Sequence, residues 1–161
     1  MPDSNNGEYP RGQILGQVGE ILRVNEPLVS DRIQIGVAGL KAGQAFTLDA
    51  VTGKAKPLAT STEGVAVRGV LTYEIGEVNT GQYPDTVLGE YAVDQHVQEV
   101  LEGVIVGEFA VAVVKGDALV QDPTTLKWTK TGAPVALQVK SMTAVDNYSA
   151  DELGAVRIGN V

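Results

Sequence analysis

Cysteine is absent from this chain of 161 residues, and histidine occurs once, as His96. The first absence excludes disulfide scaffolds, thiol nucleophiles, Cys-based zinc sites and iron–sulfur ligation, and leaves the redox compartment open. The second excludes a two-histidine metal motif within one chain and confines any Ser-His-Asp chemistry to one ring. Aromatic residues are only 5% against 43% apolar, so the core has to be built from Val, Leu, Ile and Ala, a composition that suits strands. Basic residues are outnumbered, 12 Lys+Arg to 20 Asp+Glu, a net charge of −8. A field of that sign repels phosphates, and no nucleic-acid partner is expected. No apolar run approaches the ~18 residues of a membrane span. Met1–Gly12 has neither a basic n-region nor an apolar h-region, so a soluble chain without a signal peptide or a membrane partner is expected.

What is present is turn vocabulary. Nineteen glycines and seven prolines are scattered along the chain rather than gathered in one linker, as expected for short strands joined by turns. The expected fold is all-β: a compact β-barrel or β-sandwich of short antiparallel strands with an extended N-terminal arm and at most one or two short helices. Residues 1–12 read as the flexible arm and 13–161 as a single β domain. Ile14–Val24 reads as extended with bends, because Gly16 and Gly19 would each cost a helix about 1 kcal/mol. Ile33–Leu40 alternates with period two and reads as a strand. Residues 43–58 read as a hairpin whose turn, Asp49 to Gly53, combines an Asx-turn with a glycine at positive φ. Val65–Ile75 reads as a strand, and Glu74–Glu90 as the longest loop. His96–Val114 divides most simply into three strands with turns at Gly103 and Gly107, the alternative being a short helix over Val93–Glu102. Pro134–Met142 and Gly154–Val161 read as strands, and Ser149–Glu152 has capping-box spacing.

One internal echo stands out. At an offset of 73, Gly43, Ala45, Asp49, Thr52 and Lys54 match Gly116, Ala118, Asp122, Thr125 and Lys127. Duplication and two hairpins converging on one turn chemistry both account for it.

Candidate chemistry is sparse. His96 has Asp94 and Glu99 nearby as possible tuning partners, but no Gly-x-Ser-x-Gly nucleophile motif accompanies it, and a solvated or strand-edge histidine is the simpler reading. Glu74, Glu77, Asp85 and Glu90 could supply oxygen ligands to a cation, yet they lack a calcium-loop pattern and read as a solvated acidic loop. The glycines fit neither the dinucleotide nor the phosphate-loop fingerprint. No catalytic, cofactor-binding or metal-binding residue is assigned, no cofactor is expected, and the chain reads as a non-enzyme. Trp128, on the return strand of the second hairpin, reads equally as a core residue or an interface anchor.

The order of several segments carries a resemblance: Gly12-Gln13-Ile14 after a polar start, Ile35-Gly36-Val37 followed by Gly43, Gly64 to Val70, Val97 to Gly103, and Lys115-Gly116-Asp117-Ala118-Leu119-Val120. From Gly12 to the C-terminus this series resembles the tailed-phage head decoration, or capsid cement, proteins. It departs from them in the long Glu74–Glu90 loop and the acid-rich stretch between residues 90 and 108. The resemblance implies a non-enzymatic structural protein of the virion, made in the host cytoplasm. It would bind the outer surface of the assembled head and stabilise contacts between major capsid protein subunits. A homo-oligomer is expected, a trimer in preference to a dimer. Tyr9, Pro10, Arg11, Ile14, Leu15 and Trp128 are the candidate contacts with capsid or with other copies. The alternative reading is a β-sandwich carbohydrate- or receptor-binding module of a tail or fibre.

Overall fold

A computed structural model describes residues 18–22, 28–58, 67–73, 89–130 and 140–160. Among them are nine strands and no helix: β1 Val29–Gln34, β2 Ala45–Leu48, β3 Ala55–Pro57, β4 Gly69–Leu71, β5 His96–Glu108, β6 Leu119–Gln121, β7 Trp128–Lys130, β8 Lys140–Ala144 and β9 Leu153–Asn160. The strand pairings are antiparallel. One sheet runs β3-β2-β4-β5-β9-β8 with β1 also on β5, and β6 pairs with β7. The fold is all-β.

β5 organises the molecule. The expected turns at Gly103 and Gly107 do not form, and the helix over Val93–Glu102 does not form either; a single strand of 13 residues passes through both glycines. At Gly103, φ is 150°, and the pairing with β1 slips from Val29↔Glu102 to Ser30↔Val100. That is a bulge, where an extra residue bends the strand without ending it. The first half of β5 pairs with β1 and β4, and the second half, Gly103 to Glu108, pairs with β9.

The two halves of β5 belong to two copies of one structural unit. In the first, Val70 pairs with both Ala45 and Val100; in the second, Thr143 pairs with both Ala118 and Arg157. Ile33↔Val97 in the first corresponds to Gly107↔Gly154 in the second. The equivalence extends to loops. Gly43 N–H donates to Leu71 O at 2.7 Å and Gly116 N–H to Ala144 O at 2.8 Å. Gly36 N–H donates to Ala55 O and Ala110 N–H to Trp128 O, both at 2.8 Å, so each unit curls its hairpin back onto its first strand through a parallel bridge. Each unit is therefore five strands rolled towards a small barrel: β1, the first half of β5, β4, β2 and β3, then the second half of β5, β9, β8, β6 and β7. Duplication, rather than convergence of two hairpins, accounts for an echo that continues through every strand. Unit two is shorter by the 16 positions that separate the offset of 73 at Thr72 and Val145 from that of 57 at Tyr91 and Tyr148. The additional residues of unit one lie between Tyr73 and Tyr91 in the sequence.

The units keep one backbone but fill it differently. In unit one Ile35, Leu40, Phe46, Ala55, Leu71, Tyr91 and Val97 form a buried cluster with Ile33 packed on it. At the corresponding places unit two has Phe109, Val113, Leu119, Trp128, Ala144, Tyr148, Gly154 and Gly107. The large indole replaces Ala55; Gly107, in the place of Ile33, leaves room for it, and Gly154, in the place of Val97, leaves room for the Tyr148 and Phe109 rings. A Cβ on Gly107 would lie 2.6 Å from Trp128 ring atoms, and one on Gly154 would lie 2.6 Å from the Tyr148 ring. Phe109 and Tyr148 stack above with centroids 4.9 Å apart, at a separation favourable for aromatic pairs.

Other boundaries move. The strand expected at Ile33–Leu40 starts earlier and ends at Gln34, because Ile35 and Gly36 turn their backbone bonds to Gln95 and Ala55. Within the expected Val65–Ile75 strand only Gly69–Leu71 is strand among the described residues, and within Pro134–Met142 only the end, from Lys140, is described. At Ser149–Glu152 the reciprocal bond of the capping box is present, Ser149 N–H donating to Glu152 Oε2 at 2.7 Å, but it closes a turn and not a helix.

Candidate interaction surface

Each unit presents the same polar corner. In unit one, Asp49 Oδ1 accepts the N–H groups of Val51 and Thr52 at 3.0 and 2.9 Å. In unit two, Asp122 Oδ1 accepts those of Thr124 and Thr125 at 2.7 and 2.9 Å. These bonds to the ionised form hold both carboxyls below the ordinary value of 3.8, with the Thr52 and Thr125 amides the largest contributors. The residue two places before the return strand is Gly53 at φ 69° in one unit and Leu126 at φ 59° in the other, so unit two holds a leucine in left-handed backbone at about 1 kcal/mol or more.

The lysine that follows reaches across to an aspartate. Lys54 Nζ lies 2.6 Å from Asp94 Oδ1, and Lys127 Nζ lies 2.7 Å from Asp151 Oδ1. Both aspartates sit in left-handed backbone, φ 67° and 61°, which Asp tolerates better than most residues. Gln34 completes the first corner by donating to Asp94 O at 3.3 Å. Its counterpart Glu108 lies 2.9 Å from Lys127 Nζ, and Asp151 together with Glu108 pushes the Lys127 ammonium above its ordinary value of 10.5. These corners are solvent-exposed ion pairs that shape loops, and Gln34, Asp94 and Asp151 had no signal in the sequence beyond the matched lysines.

Tyr9, Pro10, Arg11, Ile14 and Leu15 lie outside the described residues. Trp128 is fully buried; of its two roles the structure shows the core one, and it does not reach the surface as a contact. His96 is exposed at the start of β5 and offers its carbonyl to Arg32 Nη2 at 2.7 Å. The structure does not join it to the two carboxylates. Asp94 is engaged by Lys54, and Glu99, three positions along the strand and hence on the opposite face, is buried against Arg68 Nη2 at 3.2 Å. Glu74, Glu77 and Asp85 lie outside the described residues; Glu90 forms a backbone bridge with Lys41. No group of three potential metal-ligating side chains occurs among the described residues.

Gln121 is the polar residue that composition could not flag. It is 2% exposed and takes the place that Leu48 has in unit one. It donates from Nε2 to Gly43 O at 2.7 Å and to Leu126 O at 3.1 Å, linking β6 to the other unit. A cavity of about 320 Å³ opens beside this link, lined by Val18, Lys41, Tyr73, Glu108 and Leu126 among others.

The exposed apolar residues repeat as well: Val37 is 42% exposed and Val111, one residue past the equivalent bend, 39%. The units differ at their first strands. Residues 19–22 cover the outer edge of β5, with Gly19 N–H donating to Val106 O at 2.8 Å, Val106 N–H to Glu20 O at 2.9 Å and Leu22 N–H to Val104 O at 2.9 Å. β1 pairs only with β5 among the described residues, and Val29 to Arg32 are all exposed.

No family model matches the chain, and no curated protein matches it. Among solved structures, a chain from the capsid of Myoviridae phage XM1 is similar in fold, with a TM-score of 0.61, 20% sequence identity and coverage of 88% of each chain. Either unit alone is under half of the sequence, so coverage of that extent takes in both. The likeness is one of fold, over both units of this chain.

Proposed function

We propose that this chain is a structural protein of a phage virion, and specifically a head decoration or cement protein. It binds the outer surface of the assembled capsid and holds neighbouring major capsid protein subunits together. The observation that carries the reading is the fold likeness, over 88% of both chains, to a chain of a phage capsid. The order of segments in the sequence points to decoration in particular. Physical chemistry agrees with an outward position: a net charge of −8 faces solvent at lower cost than it faces packaged nucleic acid. A clamp of this kind works through contact area repeated over many copies, each contact about 800 Å² per partner in an ordinary specific interface. It acts as a homo-oligomer, a trimer in preference to a dimer, and the arm of residues 1–12 reaches the neighbour, its ordering cost offset by added contact.

Co-sedimentation of the purified chain with heads that lack it tests the reading. Saturable binding to assembled heads, and weaker binding after deletion of Met1–Arg11, is the expected result. A chain that stays in the supernatant with intact heads overturns it.

A further inference from the structure

The duplicated fold has two equivalent first-strand edges, and only one of them is covered among the described residues. On unit two, the edge of β5 carries the extended tetrapeptide Gly19-Glu20-Ile21-Leu22, with Ile21 opposite Ile105. Ile21 and Leu22 also pack against the larger core cluster, to which Val104 and Ile105 belong. The sequence holds a second tetrapeptide of the same pattern seven positions earlier, Gly12-Gln13-Ile14-Leu15. We infer that Gly12–Leu15 of a second copy of this chain adds as an antiparallel strand to the outer edge of β1, placing Ile14 of that copy opposite Asp31.

The register follows from the duplication. Ser30 and Arg32 correspond to Val104 and Val106, whose outward backbone groups bond residues 19–22. The Arg32 N–H donates to Asp31 Oδ1 at 2.8 Å in the single chain, a local bond that an incoming carbonyl replaces one for one. Leu28 and Val29, 39% and 44% exposed, give the added isoleucine and leucine apolar surface beside the edge. Strand addition of this type draws affinity from main-chain bonds and selectivity from alternate side chains.

The same chain cannot supply the strand. Residues 19–22 run antiparallel to β5, with Gly19 at the end farther from β1. Gly19 sits level with Val106 and Asp31 with Glu99, seven residues down the strand, about 24 Å measured along it. The five residues from Gly19 back to Ile14 span at most about 18 Å. A second copy is required.

The inference rests on the homo-oligomer part of the proposed function and is tested on the purified chain without capsid. Antiparallel partners that do not share a hydrogen-bonded ring lie about 4.5 Å apart at Cα, close enough for a disulfide, and the absence of native cysteine keeps the readout clean. Ile14→Cys and Asp31→Cys variants, mixed and oxidised, are expected to form a mixed covalent dimer as the major product. No mixed dimer, or an internal disulfide when both changes are in one chain, overturns the inference. Deletion of residues 1–15 is expected to turn the oligomer into monomer, read by light scattering, with the thermal midpoint of the domain kept. An oligomer that survives the deletion overturns this edge contact alone, whereas a monomeric full-length chain overturns the homo-oligomer itself.

Discussion

The side chain of Gln121, in the second unit, accepts the N–H of Ala45, at the start of β2 in the first, at 2.7 Å. The same side chain donates to the carbonyl of Gly43 at 2.7 Å, so one amide satisfies two backbone groups of the neighbouring hairpin. Replacing Gln121 by Leu, the residue at the equivalent place in unit one, leaves a buried donor and a buried acceptor unmatched. Each unmatched group costs roughly 1–3 kcal/mol. Gln121→Leu should therefore lower the denaturation midpoint clearly, and urea unfolding followed by Trp128 fluorescence should show unit two releasing before the far-ultraviolet signal is lost. Coincident and unshifted transitions would contradict the linking role.

The Trp128 pocket makes a second prediction through coupling. Gly107→Ala places a methyl within 2.6 Å of the indole and should destabilise by about 1–3 kcal/mol as overpacking. Trp128→Ala alone should cost about 3–5 kcal/mol. In the double variant the methyl enters the space left by the indole, so the combined loss should be smaller than the sum. Additive losses in a double-mutant cycle would show that Gly107 is not there to make room for the ring.

Acid and alkali should act on the two corners from opposite sides. Asp49 and Asp122 have native pKa values lowered beneath 3.8. Their contribution is complete above 3.8 and is lost as pH falls through the lowered native values. Lys127 is raised above 10.5; its contribution is complete below 10.5 and is lost as pH rises through the raised value. A pH series of thermal midpoints should show both shoulders, the acidic one reduced in Asp49→Ala/Asp122→Ala and the alkaline one reduced in Lys127→Met. Because these groups are exposed, high salt should shrink the Lys127 effect.

Arg68 and Glu99 give a fourth prediction. Glu99 is 0% exposed and its partner's guanidinium is 3.2 Å away. Arg68→Met should destabilise by about 1–3 kcal/mol by taking one partner from the buried carboxylate, and Arg68→Met/Glu99→Leu should recover most of the loss. Equal destabilisation in both variants, by chemical denaturation, would rule out the buried charge as the cause.

Local chemistry was legible in the sequence and long-range compensation was not. Asp49 to Lys54 and Asp122 to Lys127 announced their turns because an Asx-turn is decided within a few residues, and the observed bonds match. Gly103 and Gly107 misled because a glycine in a strand can mean a turn, a bulge or a close approach, and the choice between them rests on Leu28 and Trp128, 75 and 21 positions away. The duplication was visible only in the hairpins. Elsewhere the two units share hydrogen bonds but exchange volumes, Ala55 for Trp128 and Ile33 for Gly107, and such paired exchange erases identity while it preserves shape. Gln121 offered no signal, since a glutamine in a strand is ordinarily solvent-facing.

β5 closes unit one and opens unit two without a break. A force that pulls the units apart along that strand is carried by a covalent backbone in addition to the core that both units share and the Gln121 bonds between them. To slip, β5 must shear across its ladders with β1 and β9, whose bonds lie perpendicular to the pull and have to fail together rather than one after another. Neither barrel can be drawn out of the other while the ladders hold, so the pair behaves as a single inextensible link.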